Sequence, residues 1–492
     1  MPSFRIFRSP SSRRTDFRAA IHTGIVGWLV LTLLVACGAP APTAGLPQET
    51  ISATRQTPTR TASSATATAT PKPAPTLSVN LAALRGQTIQ FWHPWSGANA
   101  QAMEDSIERF NNENEYGITV QVIPKGNYDD LYTAVDTAIQ SSDLPQLTVG
   151  YNYQIRNWAD QGQVVNLDDY LADPRWGLSE TEQADFFPVI WEQDLIEGSR
   201  IGFPAQRSAQ VMVYNQSWAK EMGYATPPTT PEDFKEQACA AAQAINLDAD
   251  SANNGRGGWA INTSPAAFLT WLYAFDSQVL ASGDAGYRFD NPESKAALTF
   301  LKDLYDAGCA WEDSDDNPLS EFSSRQALFA TLPLTDLPSL SAELAQAENK
   351  DQWSAIGFPS DQVDPLITVY GPSFTLFGAS PEEQLASWLL VKWLASPEEQ
   401  ARWITASGTL PLRLSVSDLM KPYGVAHPQW SQAKALLPTA STEPNLASWS
   451  VVRWALADVA TQVFRYYFTS DRIPATLALL DETAAELHAR FP

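Results

Sequence analysis

The sequence contains 492 residues and carries a formal net charge of −23, from 32 basic and 55 acidic side chains. This length exceeds one simple core and suits two lobes, and such acidity argues against binding to nucleic acid or to anionic membranes. The four histidines show no HExxH or similar spacing, so we expect no histidine-rich metal centre and no cofactor. The 17 Trp, 15 Tyr and 21 Phe suit a large core and a site that stacks on flat apolar faces.

The first 36 residues predict a signal peptide. Arginines open the chain, and the apolar run from Ile25 to Ala36 is too short to cross a bilayer about 30 Å thick. Cys37 follows small residues at the end of this run, which resembles the lipobox of bacterial lipoproteins and implies lipidation of its thiol. The alternative is a buried cysteine in an ordinary signal peptide. Residues 12–17 weakly resemble a twin-arginine export signal, so the export route stays open.

Residues 37–78 consist mainly of Ala, Thr, Pro and Ser. They cannot bury enough apolar surface to fold, so we expect a disordered, partly extended tether. A lipid anchor followed by a tether places the folded body at the cell membrane, on its extracytoplasmic side.

Strand and helix patterns alternate between Thr88 and Val149. The predicted strands are 88–92, 118–123 and 147–149, and the predicted helices between them are 98–113 and 128–140. This order predicts a parallel α/β sheet with right-handed crossovers, in which ligands bind beyond the carboxyl ends of the strands. Trp95, Tyr128 and the segment Tyr151–Tyr153 should therefore lie on one rim.

The stretch Gly202–Asn215 is a polar segment between two apolar ones. Proline at 204 ends any helix, and Val211–Tyr214 has the composition of a strand. Such a polar link is a loop, an edge or a crossover between lobes. We interpret it as a crossover, whose middle, Gln206 to Gln210, both bends and touches ligand.

The rest of the chain predicts mainly helices. They are 217–222, 231–245 after a Thr230 cap, 268–275, 292–307 after an Asn291 cap, 381–394, 397–404, 446–464 and 473–491. Asp248–Gly255 superficially resembles a calcium loop but lacks the glutamate that an EF-hand needs at its twelfth position. An Asx-rich turn is the preferred interpretation, and metal binding stays open.

Cys239 and Cys309 remain once Cys37 is assigned to lipidation. Because the predicted compartment is oxidising, we expect them to form a disulfide within the second lobe. The alternative is two free buried thiols.

Several segments together resemble the carbohydrate-type extracellular solute-binding proteins of ABC importers, nearest the glycerol-3-phosphate and oligosaccharide binders. They are Phe91–His93, Lys125–Tyr128, Pro204–Asn215, Phe289–Glu293 before a helix ending Leu304–Gly308, and Gly408–Pro411. The resemblance covers nearly all of residues 88–491 and is carried by the order and spacing of these segments. After Ala327-Leu328 the chain departs from the family, because it reads Thr-Leu-Pro-Leu at 331–334 where a Gly- or Ser-rich ligand loop is usual.

The resemblance implies an α/β, two-lobe periplasmic-binding-protein-like fold of type II, with discontinuous lobes joined by three hinge crossings. The crossings would be Ala205–Gln210, Val369–Gly371 and Thr409–Pro411. Lobe 1 would comprise residues 79–205 and 370–409, and lobe 2 residues 206–369 and 410–492. Ligand would be enclosed between them by hinge motion.

Matching positions imply the ligand contacts. The resemblance to glycerol-phosphate binders selects Tyr128, Ser208, Gly371, Thr409 and Arg453. Asn152 stands where those proteins carry a carboxylate, and Trp449 stands where maltose-type binders stack a sugar ring.

A sugar needs aromatic faces and bidentate polar side chains, which adds further candidates. For stacking, these are Trp95, Tyr151 and Trp271, although core packing is the better explanation for Trp271. Arg453 would either hold a phosphate or carboxylate in fork geometry or form an ion pair on a helix face. Ser208 is either a ligand contact or a hydrogen bond of the crossover.

The resemblance implies a non-enzymatic, monomeric lipoprotein that delivers a sugar, an oligosaccharide or a polyol phosphate to ABC permease subunits. Two alternatives stay open at this point. One is a surface-anchored carbohydrate-active hydrolase, for which no carboxylate pair stands out in the sequence. The other is a structural surface lipoprotein without a ligand.

Overall fold

The structure is a computed structural model that describes residues 76–282, 285–312, 318–361 and 364–491. The predicted signal peptide, Cys37 and nearly all of the tether lie outside the described residues. The Leu77 backbone N–H donates to the Asp173 carboxylate at 2.8 Å, so the folded body already includes residues just before Val79. Within the described ranges, no helix combines the length and the apolar character needed to cross a membrane.

The strands of the described chain follow in sequence order. They are β1 (Thr88–His93), β2 (Thr119–Pro124), β3 (Leu147–Gly150), β4 (Leu195–Ile196), β5 (Ser199–Arg200), β6 (Phe203–Pro204), β7 (Ser208–Asn215), β8 (Gly257–Ala260), β9 (Ala310–Trp311), β10 (Ala327–Pro333), β11 (Trp353–Ile356), β12 (Thr368–Tyr370), β13 (Ser373–Leu376) and β14 (Ser441–Thr442).

The helices of the same ranges are numbered likewise. They are α1 (Leu81–Leu84), α2 (Gly97–Glu113), α3 (Tyr128–Ser141), α4 (Asn152–Asp160), α5 (Asp168–Ala172), α6 (Glu180–Ala184), α7 (Pro188–Trp191), α8 (Gln216–Glu221), α9 (Pro231–Asn246), α10 (Pro265–Ala274), α11 (Pro292–Asp306), α12 (Pro318–Ser323), α13 (Leu337–Gln346), α14 (Pro381–Leu394), α15 (Pro397–Ser407), α16 (Leu414–Leu419), α17 (Lys421–Ala426), α18 (Pro428–Ala435), α19 (Trp449–Val463) and α20 (Ile473–Arg490). Short 3-10 turns cover Glu192–Asp194, Leu334–Asp336, Leu437–Thr439 and Ser470–Arg472.

Sheet 1 has the strand order β2-β1-β3-β13-β6. β1 runs parallel to both β2 and β3, as the alternating strand and helix pattern predicts. β13 returns antiparallel to β3, so the complete sheet is mixed. Asn127 and Asp130 form a reciprocal capping box at the start of α3, which fixes the first turn of that helix and places Tyr128 at the rim. We call the layers around this sheet lobe 1.

Sheet 2 has the order β14-β12-β7-β10-β8-β9, and β11 also pairs with β7. β7 is its central strand and is almost wholly buried. Since successive side chains of a strand point to opposite faces, Val211 and Val213 join the core that continues into lobe 1, while Met212 and Tyr214 join the core around α9, α10 and α19. We call the layers around this sheet lobe 2.

Three chain segments connect the two sheets. Ala205–Arg207 leads from β6 in sheet 1 to β7 in sheet 2, and Gly371-Pro372 leads from β12 back to β13. After α15 the third segment passes beside the first, where the Leu410 N–H donates to the Arg207 carbonyl at 2.7 Å. A Cβ on Gly371 would lie 2.4 Å from the Gln206 carbonyl oxygen, so only glycine permits the first two segments to approach this closely.

Arg207 holds these segments together with its side chain. The guanidinium is fully buried and donates to the Pro372 carbonyl at 2.7 Å and to the Ser373 hydroxyl at 2.9 Å. It also lies 3.3 Å from the carboxylate of Asp194, to which Ser373 donates at 2.6 Å. Burial lowers the pKa of Arg207, and Asp194 opposes that shift, so the two side chains depend on one another for charge compensation.

The Arg207→Met variant should lose about 3–5 kcal/mol of unfolding free energy, because it leaves the Asp194 carboxylate buried without its partner. Urea unfolding measures this loss. The double variant Arg207→Met/Asp194→Leu should lose less than the sum of the two single variants. Arg465→Met, which breaks the half-exposed pair with Glu312, is the control and should cost about 1 kcal/mol or less. Additive losses in the cycle would contradict the coupling.

Cys239 and Cys309 form a disulfide, with Cα atoms 4.4 Å apart and a sequence separation of 70. This confirms the predicted pairing. The bond joins α9 to the start of β9, and Cys309 lies in the core of lobe 2. It therefore closes a long loop around sheet 2 and limits the conformations of the unfolded chain.

Replacement of both cysteines by alanine should lower the free energy of unfolding by about 4 kcal/mol, the value expected for a loop of this length. Thermal unfolding with and without reductant measures it. Reductant should lower the melting temperature of the wild type and leave that of the double variant unchanged. An unchanged wild type under reducing conditions would contradict a stabilising bond.

Candidate ligand-binding cleft

The predicted rim of sheet 1 is assembled as the sequence indicates. Trp95 follows β1, Tyr128 begins α3, and Tyr151 follows β3. The Trp95 indole N–H donates to the Tyr128 hydroxyl at 3.2 Å, and the Tyr128 and Tyr151 rings lie 5.1 Å apart. Tyr153, in the first turn of α4, stacks on Tyr151 with ring centroids 5.6 Å apart. The rim is therefore a continuous aromatic surface.

Gln206 connects this surface to the hinge. Its side-chain amide donates to the Tyr128 hydroxyl at 2.9 Å and accepts from the Trp403 indole at 3.0 Å. Trp403 in turn packs on Trp95, with ring centroids 4.7 Å apart. A change in the first crossing would thus be transmitted directly to the aromatic rim.

Arg453 of α19 reaches across from lobe 2. It donates to the Tyr153 hydroxyl at 2.6 Å, and its Nη2 lies 3.6 Å from Oε1 of Glu443. Burial alone would lower the pKa of Arg453, but Glu443 is the largest opposing influence, and the pKa is raised above its usual value. Arg453 is therefore a charged group whose partners, Glu443 and Tyr153, come from both lobes.

A cavity of about 490 Å³ lies between the lobes, and we call it the cleft cavity. Asn152 and Gln193 line it from lobe 1, and Tyr273, Glu443 and Asn445 line it from lobe 2. The amides of Asn152 and Asn445 both donate to the Gln193 carbonyl, at 2.6 and 2.9 Å. Because one wall belongs to each lobe, rotation about the crossings would open or close this cavity.

The tyrosines of the rim, of the hinge and of the cleft cavity are uncharged at neutral pH. Burial raises the pKa of Tyr151 to about 12 and raises the pKa values of Tyr128, Tyr153, Tyr273 and Tyr370 as well. Their hydroxyls can therefore donate as well as accept hydrogen bonds. Such a surface suits a ligand with both hydroxyl groups and apolar faces.

The remaining predicted contacts lie in the hinge. Ser208 begins β7 and pairs in register with Tyr370 of β12. Gly371 lies between β12 and β13 in the second crossing segment, and Val369 and Tyr370 belong to β12. Thr409 is buried in the third, where its hydroxyl bonds that of Ser407 at 2.9 Å and its carbonyl accepts from Trp430.

Trp271 and Trp449 are both fully buried. Trp271 packs against Phe234, Trp259 and Phe358 inside lobe 2. Trp449 stacks on Tyr287, with centroids 6.0 Å apart. Neither ring presents a free face to the cleft cavity, so the structure brings these two residues into the core and the others to the rim or hinge.

The sequence analysis did not find Glu443, Asn445, Gln193, Tyr273 or Tyr370 as site residues. Glu443 and Asn445 lie between β14 and α19, in a segment without a periodic pattern. No sequence pattern distinguishes Glu443 from the many other acidic residues of this chain. Only its position just before a long helix that carries Arg453 could have drawn attention to it.

The Asp248–Gly255 segment forms Asx turns, in agreement with the sequence-based interpretation of an Asx-rich turn. Asp248 accepts from the Asp250 N–H at 2.7 Å, and Asp250 accepts from the Ala252 N–H at 3.0 Å. Among the described residues, no group of three or more His, Cys, Asp or Glu side chains is placed to hold a metal ion.

His93 lies fully buried beneath the rim and stacks on Trp95 with centroids 5.4 Å apart. Its Nδ1 accepts from the Trp95 backbone N–H at 3.2 Å. Burial lowers its pKa from 6.5 to about 4, so the folded protein keeps it neutral where the unfolded chain binds a proton.

The free energy of unfolding should therefore fall by about 3 kcal/mol as the pH drops from 6.5 towards 4, because of His93 alone. Above pH 7 the contribution of His93 should not change with pH. Urea unfolding across this range, compared with His93→Gln, isolates the effect from that of the carboxylates. The variant should show a shallower decline between pH 6.5 and 5. Parallel pH profiles would contradict a depressed histidine pKa.

Comparison with known proteins identifies the family to which this architecture belongs. Residues 105–472 match the family described as bacterial extracellular solute-binding protein. The sn-glycerol-3-phosphate-binding periplasmic protein UgpB of Escherichia coli K12 is 22% identical over 347 residues, which cover 68% of this chain and 77% of UgpB.

Two solved structures share the fold. The sugar-binding protein MalE from Xanthomonas citri superposes with a TM-score of 0.71 at 21% identity, covering 82% of this chain and 98% of MalE. The cyclic alpha-maltosyl-1,6-maltose binding protein from Arthrobacter globiformis gives 0.70 at 18% identity, covering 82% and 99%. These relatives are binding proteins rather than enzymes, and the match over most of the chain shows that this protein belongs to the bacterial extracellular solute-binding proteins.

Proposed function

We propose that this protein captures a carbohydrate in the cleft cavity and delivers it to the membrane subunits of an ABC permease. The observation that carries the proposal is a cavity of about 490 Å³ with one wall on each lobe, lined by Tyr273 and by hydrogen-bonding side chains such as Asn152 and Asn445. Relatives whose names specify sugars share the fold and support this ligand class. They give no support to a hydrolase, and we propose binding without catalysis.

The lobe boundaries of the sequence analysis fit this function, and we propose them as the moving units. Lobe 1 comprises residues 79–205 and 370–409, and lobe 2 comprises 206–369 and 410–492. Sheet membership supports the division, because β6 and β13 lie in sheet 1, and β7 and β12 lie in sheet 2. Opening must break the bonds that Arg453 and Asn445 make across the cleft, and contacts of a bound ligand with both lobes would add to these interactions in favour of the closed arrangement.

We further propose that Trp95, Tyr128, Tyr151 and Asn152 contact the ligand from lobe 1. From the hinge and lobe 2, Ser208, Gly371, Thr409 and Arg453 complete the predicted set. A monomer tethered through lipidated Cys37 on the extracytoplasmic face would meet its permease without dissociating from the membrane. The tether supports this arrangement, since its composition predicts an extended spacer.

The Tyr151→Ala variant should bind ligand at least about 10-fold more weakly, because it removes an aromatic face at the centre of the rim. A thermal-shift screen of sugars, oligosaccharides and polyol phosphates identifies the ligand, and calorimetry then compares the affinities. Tyr466→Ala is the matched control, because Tyr466 is 86% exposed and absent from the cleft cavity, and it should bind normally. A wild type that turns over a glycan, or that binds no member of the screen, would contradict the proposal.

A further inference from the structure

The cleft cavity is bordered by hydrogen-bond acceptors that lack donors. Oδ1 of Asn152, Oδ1 of Asn445 and Oε1 of Glu443 are all buried and accept no hydrogen bond. The orientation of the two amides is fixed, because each directs its nitrogen to the same Gln193 carbonyl and so keeps its oxygen as an acceptor. A ligand that satisfies these oxygens must present N–H or O–H groups.

Glu443 is the charged member of this group. Its side chain is only 9% exposed, and its nearest cation, Nη2 of Arg453, lies 3.6 Å from Oε1, beyond hydrogen-bond distance. Arg453 is directed instead to the Tyr153 hydroxyl. A carboxylate this deeply buried is costly unless it receives charged hydrogen bonds, and Glu443 has only the 3.6 Å ion pair with Arg453, while its Oε1 accepts no hydrogen bond.

The surrounding charge has the same sign. A second cavity of about 370 Å³ adjoins the cleft cavity, since both are lined by Tyr273, Gln278, Ala440 and Ser441. Glu192 and Glu443 line the first cavity, and Asp276 and Asp364 line the second. Among the described residues that line either cavity, none is a lysine or an arginine. A phosphate would meet carboxylates among the residues that line these cavities, and the nearby Arg453 is already paired with Glu443 and Tyr153.

Aromatic rings complete the environment of Glu443. Tyr273 lines both cavities, and its hydroxyl donates at 3.0 Å to the carbonyl of Thr442, the residue that precedes Glu443 in sequence. Glu443 also raises the pKa values of Tyr151 and Tyr370, which shows that their hydroxyls lie within electrostatic reach of it. A carboxylate among tyrosine rings is a favourable site for an organic cation.

We propose that the ligand is a saccharide that carries a protonated amine, with its ammonium group at Glu443 and with neighbouring hydroxyl groups of the ligand donating to Oδ1 of Asn152 and of Asn445. This inference rests on the proposed function and deepens it by assigning the ligand class. It separates the protein from its relative UgpB, which is named for sn-glycerol-3-phosphate, because the anionic lining disfavours a phosphate. The adjoining second cavity extends the cleft, so the ligand has room for more than one sugar ring.

Calorimetry with three probes at pH 6 tests the proposal: the glucosamine trisaccharide, its fully N-acetylated counterpart and sn-glycerol-3-phosphate. The two trisaccharides share their rings and differ in charge. We expect the amine to bind at least about 10-fold more tightly than the acetylated sugar, with an advantage that shrinks as salt is raised. We expect no measurable binding of the phosphate.

The Glu443→Gln variant should reduce the ratio of the two trisaccharide affinities to about one. Glu486→Gln, on the exposed face of α20, is the control and should leave the ratio unchanged. If Glu443→Gln does not fold, the ratio of the two trisaccharide affinities of the wild type and its salt dependence still test the proposal. An acetylated sugar that binds as well as the amine, or a phosphate that binds more tightly, would overturn this inference and leave the proposed function intact. Failure of every saccharide to bind would overturn both.

Discussion

The buried pair of Arg207 and Asp194 is the interaction on which the arrangement of the two lobes depends. Arg207 stands in the first crossing, donates to the second through Pro372 and Ser373, and accepts from the third through its carbonyl. One residue, through its side chain and its backbone carbonyl, thus connects three chain segments that are up to about two hundred residues apart. Burying a guanidinium is unfavourable without a carboxylate and several acceptors. Loss of any one of these contacts should therefore weaken the others. The hinge therefore has a rigid centre around which the lobes can rotate.

The cleft follows from this centre. Gln206, next to Arg207, contacts Tyr128 and Trp403, so the rim of lobe 1 begins where the hinge ends. On the other side, α19 directs Arg453 at Tyr153, and the segment before it supplies Glu443 and Asn445. Neither lobe alone has a complete site. The acceptors of the cavity come from both lobes, and their satisfaction by a ligand would favour the closed arrangement over an open one.

The successful sequence predictions share a physical basis. Parallel pairing of β1 with β2 and β3 followed from strands separated by helices, because that connection has essentially one stable hand and places the strand ends on one rim. The same pattern predicts that Trp95, Tyr128 and Tyr151 lie close together on that rim. The disulfide followed from two cysteines left in an oxidising compartment. The helices with clear caps, such as α9 after Thr230 and α11 after Asn291, also begin where predicted. The short helices of 152–200 and 414–435 were not predicted, since they lack a long periodic face.

The sequence by itself determined the secondary structure of the segments with a clear periodic pattern, the polar character of the crossings and the presence of aromatic residues at the rim. These properties depend on local steric and hydrophobic preferences, which each segment carries within it. The tertiary structure alone decided that Arg207 pairs with Asp194, that Trp271 and Trp449 belong to the core, and that Glu443 lies beside the cleft. Such outcomes depend on contacts between residues distant in sequence. In a chain with 55 acids, no local pattern distinguishes Glu443, which folding places nearly buried between the two lobes.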